Sequence, residues 1–411
     1  MLIVYHFQRR DIPENSGSQS EFKRGHIFTE KDVEALRTDI RDFVTPSWLT
    51  SIPSNLGEPS HGKLKADQWR TLGTVYLPVS LVRLWATPNK DDPQQAAGRQ
   101  KLLSLTLSLI SAINIASSRT TSRDKANLYT RYMTEYLDGL WNLMPDYQFR
   151  PNHHMALHLS EYLLLYGPVH GWWTFPFERL IGLLQDIPNN FKNGQMEETI
   201  ATSFVKSANL RALLTKSECP EAIKNCQAFF QKLVDPEVRN TLLTDISVFT
   251  SHLEPELMPT PAVSSPSSSI RGTTFRILEK HLSNINKSPI GGTVKNLSYY
   301  TVHGRTFSIA ARHKGNGSAL VRHQSSILPA QIEDIIRTSD DQTFVAVRYF
   351  RPTAVNDPFE AYPALRISLW DSKLGQLTVI RAEDICGHFA SIPLFWEKSY
   401  CTVVVSLSRV D

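Results

Sequence analysis

Hydrophobic residues recur every three or four positions through most of the first 250 residues, which is the spacing of amphipathic α-helices. The segment 29–43 begins with Thr29 as a predicted N-cap, and Pro46 ends it. Further helices are predicted at residues 65–86, 100–117, 122–144, 153–165, 177–187, 196–216, 221–233 and 238–249. Because no alternating strand pattern occurs here, residues 29–250 are predicted to be all-α, after an unpatterned tail at residues 1–28.

The pattern changes after a segment rich in serine and proline. Residues 251–269 contain four prolines and six serines, a composition typical of a linker, so residues 251–296 are predicted to be linker and connector. Short β-branched and aromatic runs then predict strands at residues 300–302, 306–309, 319–321, 343–350, 365–370, 377–380 and 401–405. Residues 297–411 are therefore predicted to form a small β-barrel or sandwich.

Composition narrows the class of protein only modestly. Hydrophobic residues make up 41% of the chain, enough to bury real cores, and the net charge of +4 permits nucleic-acid contact without arguing for it. The four cysteines form no C-x-x-C pair, so neither a zinc ribbon nor a disulfide framework is predicted, and an intracellular protein is expected. The longest apolar stretch, residues 102–116, is interrupted by polar residues, so no membrane partner is expected.

The densest motif string lies between residues 151 and 185. It comprises His154, His158, Glu161, Gly167-Pro168-Val169, Trp172-Trp173, Pro176-Phe177-Glu178-Arg179 and Gly182. This ordered string resembles a segment that follows the catalytic region in CACTA-type (En/Spm-like) transposases of plants and fungi. Residues 46–49 and 62–70 resemble the entry segment of the fungal members, so the resemblance covers residues 29–250.

The resemblance implies a ribonuclease-H-like transposase with a divided acidic triad, in which Glu178 matches the third acid. The strands that should carry the first two acids do not precede the helices, and one carboxylate cannot hold the two metal ions of phosphoryl transfer. We therefore expect no autonomous catalysis and no cofactor, with Mg²⁺ implied only for a complete transposase. The alternative interpretation of Glu178 is a first-turn acid that is stabilised by the helix dipole after Pro176.

His154, His158 and Glu161 follow at i, i+4 and i+7, so they share one helix face. Two histidines at this spacing can chelate a metal, and His170 is a further candidate nearby. Because no second cluster completes a coordination sphere, a buried polar network that positions the Pro-Phe-Glu-Arg turn is the favoured interpretation. A metal-dependent hydrolase using His154, His158 and Glu178 is a third, less favoured class.

Two other groups have a functional and a structural interpretation. Trp172 and Trp173 belong to an aromatic cluster that could stack on unpaired bases but more often forms a seam between helices. Asp67 lies in a basic string, residues 63–70, that could meet phosphates, although a charged helix entrance is the favoured interpretation. Arg179 accompanies Glu178 in the motif.

Residues 331–335 and 345–352 resemble a strand pair of bromo-adjacent-homology domains, which are chromatin-associated barrels. Those domains carry a similar Val-x-Val-Arg-Trp/Tyr-Phe-x-Arg-Pro strand end, which here reads Val-Ala-Val-Arg-Tyr-Phe-Arg-Pro, although any barrel with an aromatic core strand fits equally well.

Together these features predict a transposon-derived, nuclear protein that retains an interaction with DNA, chromatin or transposase subunits. The alternative is a non-enzymatic nuclear module that binds other proteins through its C-terminal barrel.

Overall fold

The computed structural model describes residues 29–57, 64–86, 93–145, 147–185, 187, 194–215, 220, 272–284, 294–302 and 304–408. Its helices are α1 Glu30–Asp42, α2 Ala66–Thr71, α3 Leu77–Trp85, α4 Pro93–Ala116, α5 Arg123–Leu143, α6 Pro151–Leu157, α7 Leu159–Tyr166, α8 Phe175–Gln185, α9 Met196–Thr215 and α10 Gly272–Asn284. The predicted tail at 1–28, the helices at 221–233 and 238–249, and the Ser/Pro-rich segment lie outside the described residues.

The strands form an antiparallel domain after the helices, so the predicted order of an all-α region followed by a β domain is confirmed. Their bounds are β1 Lys295–Leu297, β2 Tyr299–Val302, β3 Arg305–Ser308, β4 Ser318–His323, β5 Ser326–Arg337, β6 Thr343–Pro352, β7 Ile367–Arg381, β8 Ile385–Trp396 and β9 Ser399–Ser406. Each strand of the series β5-β4-β8-β9-β7-β6 pairs with the next, and β6 pairs again with β5, so the sheet closes into a six-stranded barrel. Closure leaves no open edge among these strands.

Capping residues explain where the first helices begin. Thr29 accepts a hydrogen bond from the backbone N–H of Asp32, whose carboxylate accepts one from the backbone N–H of Thr29, which is the predicted capping box. Ser122 caps α5 through the N–H of Lys125. The predicted helix over residues 65–86 contains a π-helical turn, Leu72–Tyr76, directly before Pro78, which lacks the N–H that a regular helix needs.

Helix α10 lies inside the predicted connector, residues 251–296, where the sequence analysis expected no regular element. Its Leu278 and Leu282 pack on the outer face of the barrel with Phe344 and other sheet residues. The hydroxyl of Thr274 also donates to the buried carboxylate of Asp334 over 2.6 Å. This helix was not predicted from the sequence, although its apolar residues spaced by four give it a surface to bury.

The chain divides into two compact units that differ from the predicted domains. One contains the described residues up to Gly171 and those from Gly272 onward, and the other contains α8 and α9. Within the first unit, Val44 and Ser391 on β8 exchange two backbone hydrogen bonds of 2.8 and 3.0 Å, so the segment after α1 pairs with the barrel. The predicted boundaries at residues 250 and 297 stay predictions.

Candidate functional site

The histidine pair of the motif string lies on the surface at the junction of α6 and α7. The single predicted helix over residues 153–165 is broken at His158, whose backbone N–H bonds to the carbonyl of Met155 in a tight turn. The hydroxyl of the buried Tyr129 on α5 donates to the carbonyl of Ala156 over 2.8 Å. This bond fixes the turn of α6 that lies between His154 and His158.

The two rings meet edge to face, with His154 Nε2 and His158 Nε2 only 3.3 Å apart. His158 Nδ1 lies 3.8 Å from the carboxylate of Glu161, and the side chains of His158 and Glu161 are 41% and 71% exposed. His154 is exposed as well. The three residues lie close together, as predicted, but they are exposed rather than buried. His153 and Leu163 occupy the inward face of this segment instead.

His153 serves the core rather than a ligand. Its buried ring packs against Tyr136, Tyr147 and Phe149, and its Nδ1 accepts the backbone N–H of Arg150 over 3.1 Å. Burial lowers its pKa, so the ring is kept neutral.

His170 has a separate role in the same unit. Its Nε2–H donates to the carbonyl of Ser117 over 2.9 Å, which ties the 3₁₀ turn Val169–Gly171 to the end of α4.

Glu178 belongs to the second unit, in the first turn of α8. Its exposed carboxylate accepts a hydrogen bond of 3.2 Å from the hydroxyl of Thr174, and its backbone N–H bonds to the carbonyl of Thr174. Trp172 and Trp173 are half-buried just before the helix, and Arg179 follows Glu178 within it. These contacts suit a first-turn acid that favours the helix N-terminus, and the predicted positioning of Glu178 by the histidines stays a prediction.

Asp67 lies in the first turn of α2 and bonds within its own neighbourhood. Its carboxylate accepts the Nε–H of Arg70 over 3.0 Å and the hydroxyl of Thr50. Both contacts support the interpretation as a charged helix entrance, which anchors α2 to the segment before it.

A cluster around the buried ring of His388, where the segment after α1 meets the barrel, was not predicted from the sequence. Trp48 Nε1–H donates to His388 Nδ1 over 3.3 Å, and the ring of His388 stacks on Phe307 at 3.8 Å. The guanidinium of Arg305 lies over the ring of Trp48, 3.9 Å from the ring centroid. Trp48 and His388 are 340 positions apart, so no local pattern could have indicated their contact.

His388 is held neutral at this position. It is 1% exposed, and burial, with a smaller contribution from Arg305, lowers its pKa to about 3. The carbonyl groups of Asn316 and Thr306 oppose this shift. Among the residues that the structure describes, Nε2 of His388 has no hydrogen-bond partner. A buried nitrogen without a partner costs stability, so the stacking and the bond from Trp48 must hold the ring in place.

An exposed aromatic pair marks the end of the β8–β9 hairpin. Phe395 and Tyr400 are opposite each other across the two strands, are 60% and 76% exposed, and have ring centroids 5.0 Å apart. The hairpin turns at Glu397 and Lys398, which have positive φ angles of 44° and 66°. Such a two-residue turn matches the twist of the flanking strands.

Two hydrogen bonds fix the tip of this hairpin against the loop before β7. Trp396 Nε1–H donates to the carbonyl of Asn356 over 3.2 Å, and the backbone N–H of Asn356 donates to the carboxylate of Glu397 over 3.3 Å. The aromatic pair is therefore presented on a braced element rather than on a free loop.

Comparisons with family models, with curated proteins and with solved structures found no match to this chain. Across the described residues, no group of three or more His, Cys, Asp or Glu side chains is arranged to hold a metal ion. None of the helices in the described ranges is both long enough and apolar enough to cross a membrane.

Proposed function

We propose that this chain is a transposon-derived, non-catalytic protein of the nucleus that binds chromatin, and that the barrel carries the contact surface. The observation that carries the proposal is the exposed pair Phe395 and Tyr400. Large aromatic side chains on a surface are characteristic of protein interfaces, where they act as anchors.

The hairpin suits such an anchor because little of it has to be ordered on binding. The two aromatic rings already contact each other, and Asn356 braces the tip through Trp396 at the end of β8 and Glu397 in the turn. A surface that is ordered before association loses less conformational entropy when the partner binds.

The charge of the hairpin favours a protein rather than the DNA backbone as the direct contact. Residues 393–402 contain only two charged side chains, Glu397 and Lys398, and their charges are opposite. Affinity for the phosphate backbone comes from several lysine and arginine contacts, which this hairpin does not offer. The partner class therefore follows from the resemblance to bromo-adjacent-homology barrels, which implies chromatin, and from the aromatic pair, which implies a protein surface within it.

Binding to reconstituted nucleosomes, compared with free DNA of the same length, tests the proposal at physiological salt. We expect tighter binding to nucleosomes, and a loss of about tenfold or more for Phe395→Ser and for Tyr400→Ser, since an anchor residue contributes about 1–2 kcal/mol or more. Ile327→Ser is the matched control, because Ile327 is an exposed apolar residue, 48% accessible, on β5. The proposal would be contradicted if the chain bound free DNA as tightly as nucleosomes and none of the three substitutions changed its affinity for nucleosomes.

A further inference from the structure

We propose that His154 and His158 form a bidentate site for a divalent transition-metal ion such as Zn²⁺, with Glu161 orienting one ligand. This inference is independent of the proposed chromatin contact. It rests on the geometry of three exposed side chains that no core interaction uses.

The separation of the two nitrogens is the first argument. A Zn²⁺ ion bound to two imidazoles at about 2.0–2.1 Å in tetrahedral geometry holds the nitrogens about 3.3–3.4 Å apart. His154 Nε2 and His158 Nε2 are 3.3 Å apart, which is the distance that a shared ion requires. The bond from Tyr129 to the carbonyl of Ala156 keeps the intervening turn fixed.

The position of Glu161 is the second argument. Its carboxylate lies 3.8 Å from His158 Nδ1 and so favours the tautomer with hydrogen on Nδ1. That tautomer leaves Nε2 of His158 with the lone pair that a metal ion needs. A carboxylate behind a histidine ligand is the usual arrangement at protein metal sites, where it fixes the ring and raises its basicity.

The exposure of the cluster is the third argument. His154 is exposed and the side chain of His158 is 41% exposed, so an ion can reach both nitrogens from solvent. Two protein ligands leave two tetrahedral positions for water or for a group from another molecule. The described residues contain no group of three or more side chains arranged to hold a metal ion, and the proposed site has only two ligands from the protein.

Zn²⁺ titration of the full chain by isothermal calorimetry tests the site. The chain contains 13 histidines and four cysteines, so the informative quantity is the change in stoichiometry rather than binding as such. We expect His154→Ala and His158→Ala each to lose the same single equivalent, and the double variant to lose no more. His323→Ala is the control, because His323 is an exposed histidine of the barrel and its loss should leave that equivalent in place.

Glu161→Gln separates orientation from folding. We expect it to weaken Zn²⁺ binding about tenfold while the midpoint of thermal unfolding in the absence of metal stays unchanged, because Glu161 is exposed. Unaltered stoichiometry and affinity in both alanine variants overturn the proposal. Losses that add up in the double variant also overturn it, because they mean that each histidine binds an ion alone.

Discussion

The buried ring of His388 predicts a specific dependence of stability on pH. Its pKa is lowered from the ordinary 6.5 to about 3 by burial, so the unfolded chain binds a proton that the folded chain excludes between these two pH values. The contribution of the neutral ring to stability is therefore complete above about pH 6.5 and is lost progressively as the pH falls toward 3. The full difference corresponds to something on the order of 3–5 kcal/mol, and lowering the pH from 7 to 5 removes about 2 kcal/mol.

His388→Phe isolates this effect. Phenylalanine keeps the stacking on Phe307 but cannot take up a proton, although it removes the acceptor for Trp48 Nε1. The free energy of unfolding is measured in urea at pH 7 and pH 5 by far-ultraviolet circular dichroism, for the wild type and the variant. We expect the wild type to lose about 2 kcal/mol more than the variant between the two pH values.

The test compares the change in the free energy of unfolding between pH 7 and pH 5, so it does not depend on the absolute stability of the variant. Other groups, including His153 and His281, whose pKa values are also lowered by burial, contribute equally to both proteins. His323→Gln, a change at an exposed histidine, should keep the wild-type slope. Equal losses in the wild type and in His388→Phe would refute the claim that burial keeps this ring neutral.

The remaining predictions concern packing within the first unit. Thr274→Val removes the hydroxyl that donates to buried Asp334 and should lower the free energy of unfolding by about 1–2 kcal/mol, whereas Thr274→Ser, which keeps the hydroxyl, should not. Gly315→Ala places a methyl group against the backbone carbonyl of Thr45 and should destabilise the chain by about 1–3 kcal/mol in the same urea assay. Gly73→Ala is its control, since an added methyl group there meets no atom within 4 Å, and equal effects of the two substitutions would contradict the packing described here.

Local signals in the sequence predicted where some of the helices begin. Thr29 was predicted as an N-cap, because such a residue acts on the next three positions only, and it caps α1. The helix predicted from residue 122 also begins there, with Ser122 as its cap. The π-helical turn before Pro78 also has a local cause, because proline removes a backbone hydrogen bond wherever it occurs. The break between α6 and α7 at His158 could not be predicted from the sequence, since no proline or glycine lies beside it.

The strands of the barrel were harder to predict from the sequence, because strand lengths depend on partners that are distant in sequence. Residues 365–370 and 377–380 were predicted as separate strands, but β7 runs through both and through the residues between them. The pairing of β6 with this part of β7 is irregular, with register shifts on both sides of Phe350. Strand β8 was missed because Gly387 and Pro393 weaken its pattern, although its partners on β4 and β9 hold both residues in the barrel.

The candidate sites also include features that the sequence predicted and features that it could not. The spacing of His154 and His158 predicted their proximity, because one helix face depends only on the interval between residues. Burial depends on which face meets the rest of the protein, and that choice was predicted wrongly. The aromatic pair on the β8–β9 hairpin could not be found without the register that places Phe395 opposite Tyr400.

Site-specific photo-crosslinking tests the central claim most directly. A photoreactive phenylalanine analogue at position 400 replaces an exposed aromatic ring with another, and the same analogue at position 327 serves as the control on β5. With reconstituted nucleosomes, the account predicts crosslinks from position 400 to a histone and none from position 327. Crosslinks from position 400 to DNA alone, or equal histone crosslinks from both positions, would contradict it.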